Sequence, residues 1–346
     1  MKVSIKESIA IHVCYRDIFN APVSIKSLKS WIGVRNDNLS IFDTAVDGLK
    51  NEGLIIEFQD CLACSGKEKI IKDQKKKSEL TKQIIEKGRK GFTVLSKIPF
   101  IKFVGISGSV AADNPVKKPN EDIVDLDLFV ITSKNTLWCF ALIERVLANF
   151  VRIFKGTHFY CFNFITEESF LEIYNKNFYT ATELINIKPI IDKGVFNKFV
   201  SSNSWIESYY AKGSIKSGVE NFKRTTLLSK ILTPFSYLFY IIFGLLRSLK
   251  KGSVGVKELS ATFSPNRKFN LHRISTARGG YQELVKSKFN ERFKKNFINY
   301  YSINLVDQLF PNNDNFSFNP EAYKEDKVKV QSFGKYNLEV NEKSSI

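Results

Sequence analysis

Apolar residues recur at helical spacing from Ile5 to Phe19, with Ile9, Val13 and Phe19 on one face. Val23 to Trp31 predicts a short second helix. A third starts at Asn38, whose side chain is expected to cap it. Ile41, Phe42, Ala45, Val46 and Leu49 mark its inner face, and Gly53 ends it. Leu54 to Phe58 and Cys61 to Cys64 read as two strands, and Gln59-Asp60 between them predicts a hairpin. Lys67 to Lys97 is rich in lysine, yet Leu80, Ile84, Ile85, Phe92 and Leu95 keep an apolar stripe. That pattern predicts a helix with Lys75-Lys76-Lys77 on its solvated face, before Pro99 stops it.

The period then shortens. A buried strand that includes Phe103 and Val104 runs into a turn at Gly105 to Ser109, and Val110 opens a helix. Ile123 to Ile131 is a strand of β-branched and apolar residues that carries two carboxylates, Asp125 and Asp127. Thr136 to Phe154 predicts a helix with Trp138, Leu142 and Val146 inward, and Thr157 to Ile165 a second long strand. Thr180 to Tyr210 reads as helices broken at Pro189 and Gly194. Leu227 to Leu246 is the most apolar stretch, and its charge-free part, Ile231 to Leu246, rises only about 24 Å, against about 30 Å of hydrocarbon in a bilayer. A buried core helix is expected there. The cations around it, Arg224, Lys230, Arg247, Lys250 and Lys251, leave contact with a membrane surface through 227–251 as the alternative. A further helix is expected over Tyr281 to Tyr301, and a polar, partly mobile tail over 302–346.

Charge adds to this picture. Lys and Arg number 52 against 35 Asp and Glu, a net +17, and such a field attracts nucleic acid, nucleotides or anionic membrane. The abundance of Lys, Asn, Ile, Phe and Tyr would raise the pI equally through an AT-rich coding sequence. Lys6, Glu7, Arg16 and Asp17 interrupt the first apolar segment, so no export signal is read there, and a cytoplasmic protein with reduced thiols is expected. Cys61 and Cys64 form a lone C-x-x-C with no second ligand pair at zinc spacing, and His12, His158 and His272 are too scattered to complete one. Residues 1–65 follow a winged-helix-like pattern, a fold often associated with DNA. The third helix would be the reader, but its polar face carries Asp43 and Asp47 with Lys50 as the single cation. Such a face opposes a phosphate backbone, so nucleic-acid binding is not favoured.

The chemistry concentrates at Gly105 to Ser109 and at Asp125-Leu126-Asp127. A Gly-Ser pair at a strand-to-helix turn leaves backbone N–H groups and a hydroxyl to hold an anion. Asp125 and Asp127 share one strand face, where a divalent cation relieves the repulsion and burial cost of two adjacent carboxylates.

Ile106-Ser-Gly-Ser109, Asp125-Leu-Asp127 and Ile131 to Trp138 resemble, in that order, the signature of the polymerase-beta-like nucleotidyltransferase superfamily. The resemblance covers about Ile101 to Trp138. Asp113 departs from it, standing where a glycine is common, and the connection to Asp125, with Lys117 and Lys118 in it, is longer than usual. The resemblance implies an α+β fold with a mixed sheet and a magnesium- or manganese-dependent enzyme that moves a nucleoside monophosphate from an NTP to an acceptor hydroxyl or phosphate. Gly108 and Ser109 would bind the nucleotide phosphates, and Asp125 and Asp127 would be catalytic metal ligands. A third carboxylate is commonly found on the following strand, where this chain offers Asn163, with Glu167 and Glu168 just beyond. Arg267, Lys268, His272, Arg273 and Arg278 are further candidates for holding phosphate. The expected organisation is a winged-helix-like module (1–65), a basic connecting helix (66–98), a transferase core (99–185), a helical region (186–301) and the tail. The competing readings are a nucleotide-binding relative without transfer and a winged-helix nucleic-acid-binding protein.

Overall fold

The structure is a computed structural model that describes residues 3–116, 124–144, 159–215, 227–249, 268–270, 273–275 and 281–311. The Lys117, Lys118, His158, Arg267, His272, Arg278 and 312–346 readings lie outside the described residues. The chain begins with α1 (Ile5–Ile18), β1 (Val23–Ser24), α2 (Ile25–Ile32) and α3 (Leu39–Asn51), followed by β2 (Ile55–Phe58) and β3 (Cys61–Cys64). Ser4 and Glu7 form a reciprocal capping box on α1. Gln59 and Asp60 both adopt positive φ, 49° and 58°, the backbone of the tight turns that match strand twist in a two-residue hairpin. Two expectations change locally. Val23 and Ser24 pair with β3 as a strand, so the second helix starts at Ile25, capped by Ser24. Asn38 does not cap α3; its Oδ1 accepts from the Arg35 N–H at 2.7 Å and closes the preceding 3-10 turn instead.

The long helix α4 (Glu68–Lys97) leads into a six-stranded mixed sheet of order β7-β4-β5-β6-β9-β8. Its strands are β4 (Ile101–Ile106), β5 (Leu126–Thr132), β6 (Tyr160–Glu167), β7 (Lys188–Asp192), β8 (Lys268–Asn270) and β9 (Arg273–Ser275). β4 runs antiparallel to β5 and β7, while β5 and β6 are parallel. The short helix α5 (Gly108–Ala111) follows β4, and α6 starts at 137 after β5 and is described to 144. The further α-helices described are α7 (Phe178–Ile185), α8 (Phe196–Ser202), α9 (Leu227–Leu249), Tyr281–Asn296 and Ile303–Leu309.

Pro189 does not break a helix. It lies in β7, which among the described residues pairs only with β4, and an edge strand tolerates a residue without an N–H; the β4–β7 register shifts beside it.

Alternation along β5 sorts two cores. Leu126, Leu128 and Val130 pack with Ile84, Phe92 and Leu95 of α4 and with Leu137, Trp138 and Phe140 of α6. Phe129 and Ile131 face the other way, into a cluster with Phe178, Phe196, Phe199, Phe289 and Phe293. Ile9, Leu28, Phe42 and Leu49 belong to that second cluster, so the N-terminal elements share a core with the sheet.

The expectation of a buried core helix at 227–246 needs correction. Side chains on α9 are described for 231–242, and only one face packs: Ser236 is buried, with Leu232, Phe239 and Tyr240 against the α6 side of the sheet. Ile231, Phe235, Leu238 and Ile242 are exposed. A helix apolar on every side cannot bury all of itself against one partner. Among the described residues, no helix is long and apolar enough to cross a membrane.

Candidate functional site

β4 and β5 carry the two halves of the candidate site to one end of the sheet, because antiparallel pairing sets Ile106 opposite Leu128. The chain leaves β4 through Ser107, whose N–H donates to the Asp127 carbonyl at 2.9 Å. Gly108 follows with φ of +65°. A Cβ built there would lie 3.1 Å from Asp127 Cγ and overlap its Oδ2 outright. Glycine is favoured twice over at this position, for its backbone and for the approach of the carboxylate. Ser109 is half-buried within α5, and its carbonyl accepts from the Asn114 N–H at 2.9 Å.

Asp127 lies in β5 and Asp125 just before it, both half-buried. Asp127 shares the parity of Phe129 and Ile131, so it lies on the sheet face covered by α1 and α7. The structure therefore brings Gly108 and Asp127 into contact, with Ser109 and Asp125 each within two residues of that contact.

The turn after α5 is held from three sides. Asp113 has φ of +52°, the region in which glycine is at ease and which aspartate tolerates. Its carboxylate pairs with Lys188 Nζ of β7 at 2.6 Å, and its carbonyl accepts from Gln74 Nε2 of α4 at 2.9 Å. Lys77 donates to Asn114 Oδ1 at 2.7 Å and to the Asn20 carbonyl at 2.9 Å. Lys75 and Lys76 are exposed, so the basic run is a solvated face except at its last member. Arg16 of α1, buried, donates from Nη2 to the Ala112 carbonyl at 3.0 Å and from Nε to the Pro22 carbonyl at 3.1 Å.

The third-carboxylate candidates fall elsewhere. Cys161 of β6 pairs with Asp127, and Asn163 lies at a register irregularity two residues on, its Oδ1 accepting from Cys161 Sγ at 3.1 Å. An amide there cannot take a proton. Glu167 is level with Thr132, five strand residues or about 16 Å from Asp127. Glu167 and Glu168 instead accept from the Leu137 and Lys134 N–H groups where α6 begins. Arg273 is level with Thr166, also at that far end; it donates to the Phe170 carbonyl at 3.0 Å and stacks over Tyr174.

A carboxyl not singled out from the sequence does lie near Asp127. Glu183, half-buried on α7, is pushed up to about 7, first by burial and then by the Asp127 carboxylate, while Arg16 pulls it down. Its neighbours Ala181, Thr182, Leu184 and Ile185 are buried, and an acidic residue among inward-facing positions was the available signal.

Among the described residues, no group of three His, Cys, Asp or Glu side chains is gathered to hold a metal ion. The donor set that exists is the oxygen pair Asp125 and Asp127. It suits a hard divalent cation of the kind bound by one or two carboxylates together with substrate phosphates. No family model, curated protein or solved structure matches the chain.

Proposed function

We propose that the chain is a nucleotidyltransferase of the polymerase-beta-like superfamily, moving a nucleoside monophosphate from an NTP to an acceptor hydroxyl or phosphate with release of pyrophosphate. The observation that carries this reading is the contact between Gly108 and Asp127, which joins an anion-holding turn to a carboxylate strand. The Gly108 and Ser109 backbone N–H groups and the Ser109 hydroxyl hold the β and γ phosphates. Asp125 and Asp127 hold magnesium or manganese, which when bound polarises the phosphoryl oxygens and neutralises the leaving pyrophosphate. Arg16, Gln74, Lys77 and Lys188 fix the turn and so set where the phosphates lie. In this reading Glu183, whose carboxyl feels the charge of Asp127, is the candidate to accept the proton of the acceptor.

The order α1-β1-α2-α3-β2-β3, with the hairpin closed at Gln59-Asp60, supports a winged-helix-like N-terminal module. Its role in this reading is scaffolding, because α1 packs into the core shared with the sheet and supplies Arg16 to the turn.

The test is a screen of the four ribonucleoside triphosphates, radiolabelled at the α-phosphate, against cell-extract acceptors with magnesium or manganese. Labelled acceptor with matching pyrophosphate is expected. Triphosphate binding without any incorporation would identify a nucleotide-binding relative that lacks transfer.

A further inference from the structure

The largest group of exposed apolar side chains among the described residues lies on α9, at Ile231, Phe235, Tyr237, Leu238, Ile241 and Ile242. Their spacing sorts them cleanly. At 100° per residue, Ile231, Phe235, Leu238 and Ile242 fall within a sector of about 60°, with Ile241 about 60° beyond one edge of it. Ser236 lies on the far side of the helix, its Oγ accepting from the Trp138 N–H at 3.2 Å. Cys139 Sγ donates to the Leu232 carbonyl at 3.6 Å, and the Tyr240 and Trp138 rings pack with centroids 5.2 Å apart. The inner face of α9 is thus bonded to α6, and its outer face is a stripe of large apolar side chains. Phe235 and Leu238, at the centre of that stripe, are each 51 % exposed. Isolated apolar residues on a surface are ordinary, but a contiguous stripe about three turns long marks a binding face.

Charge decides between occupants. The sequence has no Asp or Glu between Glu220 and Glu258, while Lys223, Arg224, Lys230, Arg247, Lys250 and Lys251 all fall in that interval. An apolar stripe in a purely cationic segment complements a surface that is apolar within and anionic at its edge. A second copy of the chain would bring two such cationic segments together. We propose that α9 docks in the plane of an anionic lipid surface, with Ile231, Phe235, Leu238 and Ile242 entering the acyl boundary. The contacts to α6 hold the helix along the protein, so it lies on the membrane rather than across it.

The test uses the full-length chain in co-sedimentation with vesicles of phosphatidylcholine alone and of phosphatidylcholine with phosphatidylglycerol. Binding to the anionic vesicles, at least tenfold weaker on pure phosphatidylcholine and weakened by raised salt, is expected. Phe235→Glu with Leu238→Glu should reduce it at least tenfold at unchanged far-UV circular dichroism. Hydrogen exchange on the native chain gives a second readout, with peptides covering 231–242 becoming protected only when anionic vesicles are present. Equal binding by the double variant, absence of vesicle binding, or protection of 231–242 that instead follows concentration-dependent dimerisation would each overturn the proposal.

Discussion

The Asp127 carboxylate occupies the space that a side chain at residue 108 would fill, and Gly108 holds a backbone conformation, φ +65°, that other residues adopt at a cost. Two glycines separate these effects. At Gly53, φ is +69° and nothing lies within 4 Å of the point a Cβ would occupy. Gly53→Ala therefore costs about 1 kcal/mol of stability through backbone strain alone and leaves triphosphate affinity unchanged. Gly108→Ala carries a similar strain and also displaces Asp127. It is expected to weaken magnesium-dependent triphosphate binding at least tenfold, read by titration calorimetry beside thermal melts of both variants.

Glu183 is raised to about 7, so the folded chain binds its proton more tightly than the unfolded chain does. The contribution is complete below the unfolded value near 4.5 and is lost as pH rises through about 7. Glu183→Gln should thus be neutral near pH 4.5 and more stable than wild type at pH 8, by at most about 3 kcal/mol. Urea unfolding at the two pH values checks this, and transfer activity should fall at least a hundredfold in the same variant.

His12 shifts the other way. It is buried among Trp31, Phe178 and Tyr210, its Nδ1 donates to the Ser8 carbonyl at 2.7 Å, and Nε2 is buried without a hydrogen-bond partner. Burial lowers it to about 4. Between about 6.5 and 4 the unfolded chain takes up a proton that the folded chain refuses, so stability drops as pH falls through that window. His12→Phe should flatten the drop, worth at most about 3 kcal/mol, and urea midpoints from pH 7 to pH 4 measure it. An unchanged acid slope would show that another group sets it.

On α3, Asp43 lies 3.4 Å from Lys29, and Lys50 lies 3.4 Å from Asp47 and 3.0 Å from Glu57. The nearby cations are thus matched by carboxylates on the exposed face. Lys29→Ala with Lys50→Ala should leave duplex-DNA affinity and its salt dependence unchanged in the full-length chain. A salt slope smaller by about 0.9 for each lysine would make α3 a phosphate-contacting helix instead.

Much of this arrangement was legible in the sequence because short-range rules fix it. The β4 turn and β5 follow from alternation, and the β2–β3 hairpin from Gln59-Asp60. What was hidden depends on partners distant in the chain. Glu183 reads as one polar residue in an apolar helix until β5 places Asp127 near it. Lys188 to Asp192 does not alternate, and only pairing with β4 makes it an edge strand rather than a helix break at Pro189. The uniform apolarity of α9 conceals which face packs, and Trp138 and Ser236 settle that by a hydrogen bond.

Calorimetric titration of magnesium with a non-hydrolysable NTP into wild type, Asp125→Asn and Asp127→Asn tests the metal-and-triphosphate assignment most directly. Wild type is expected to bind only with magnesium present, and each variant to lose at least a hundredfold in affinity at unchanged circular dichroism. Wild-type affinity retained in both variants would contradict the assignment.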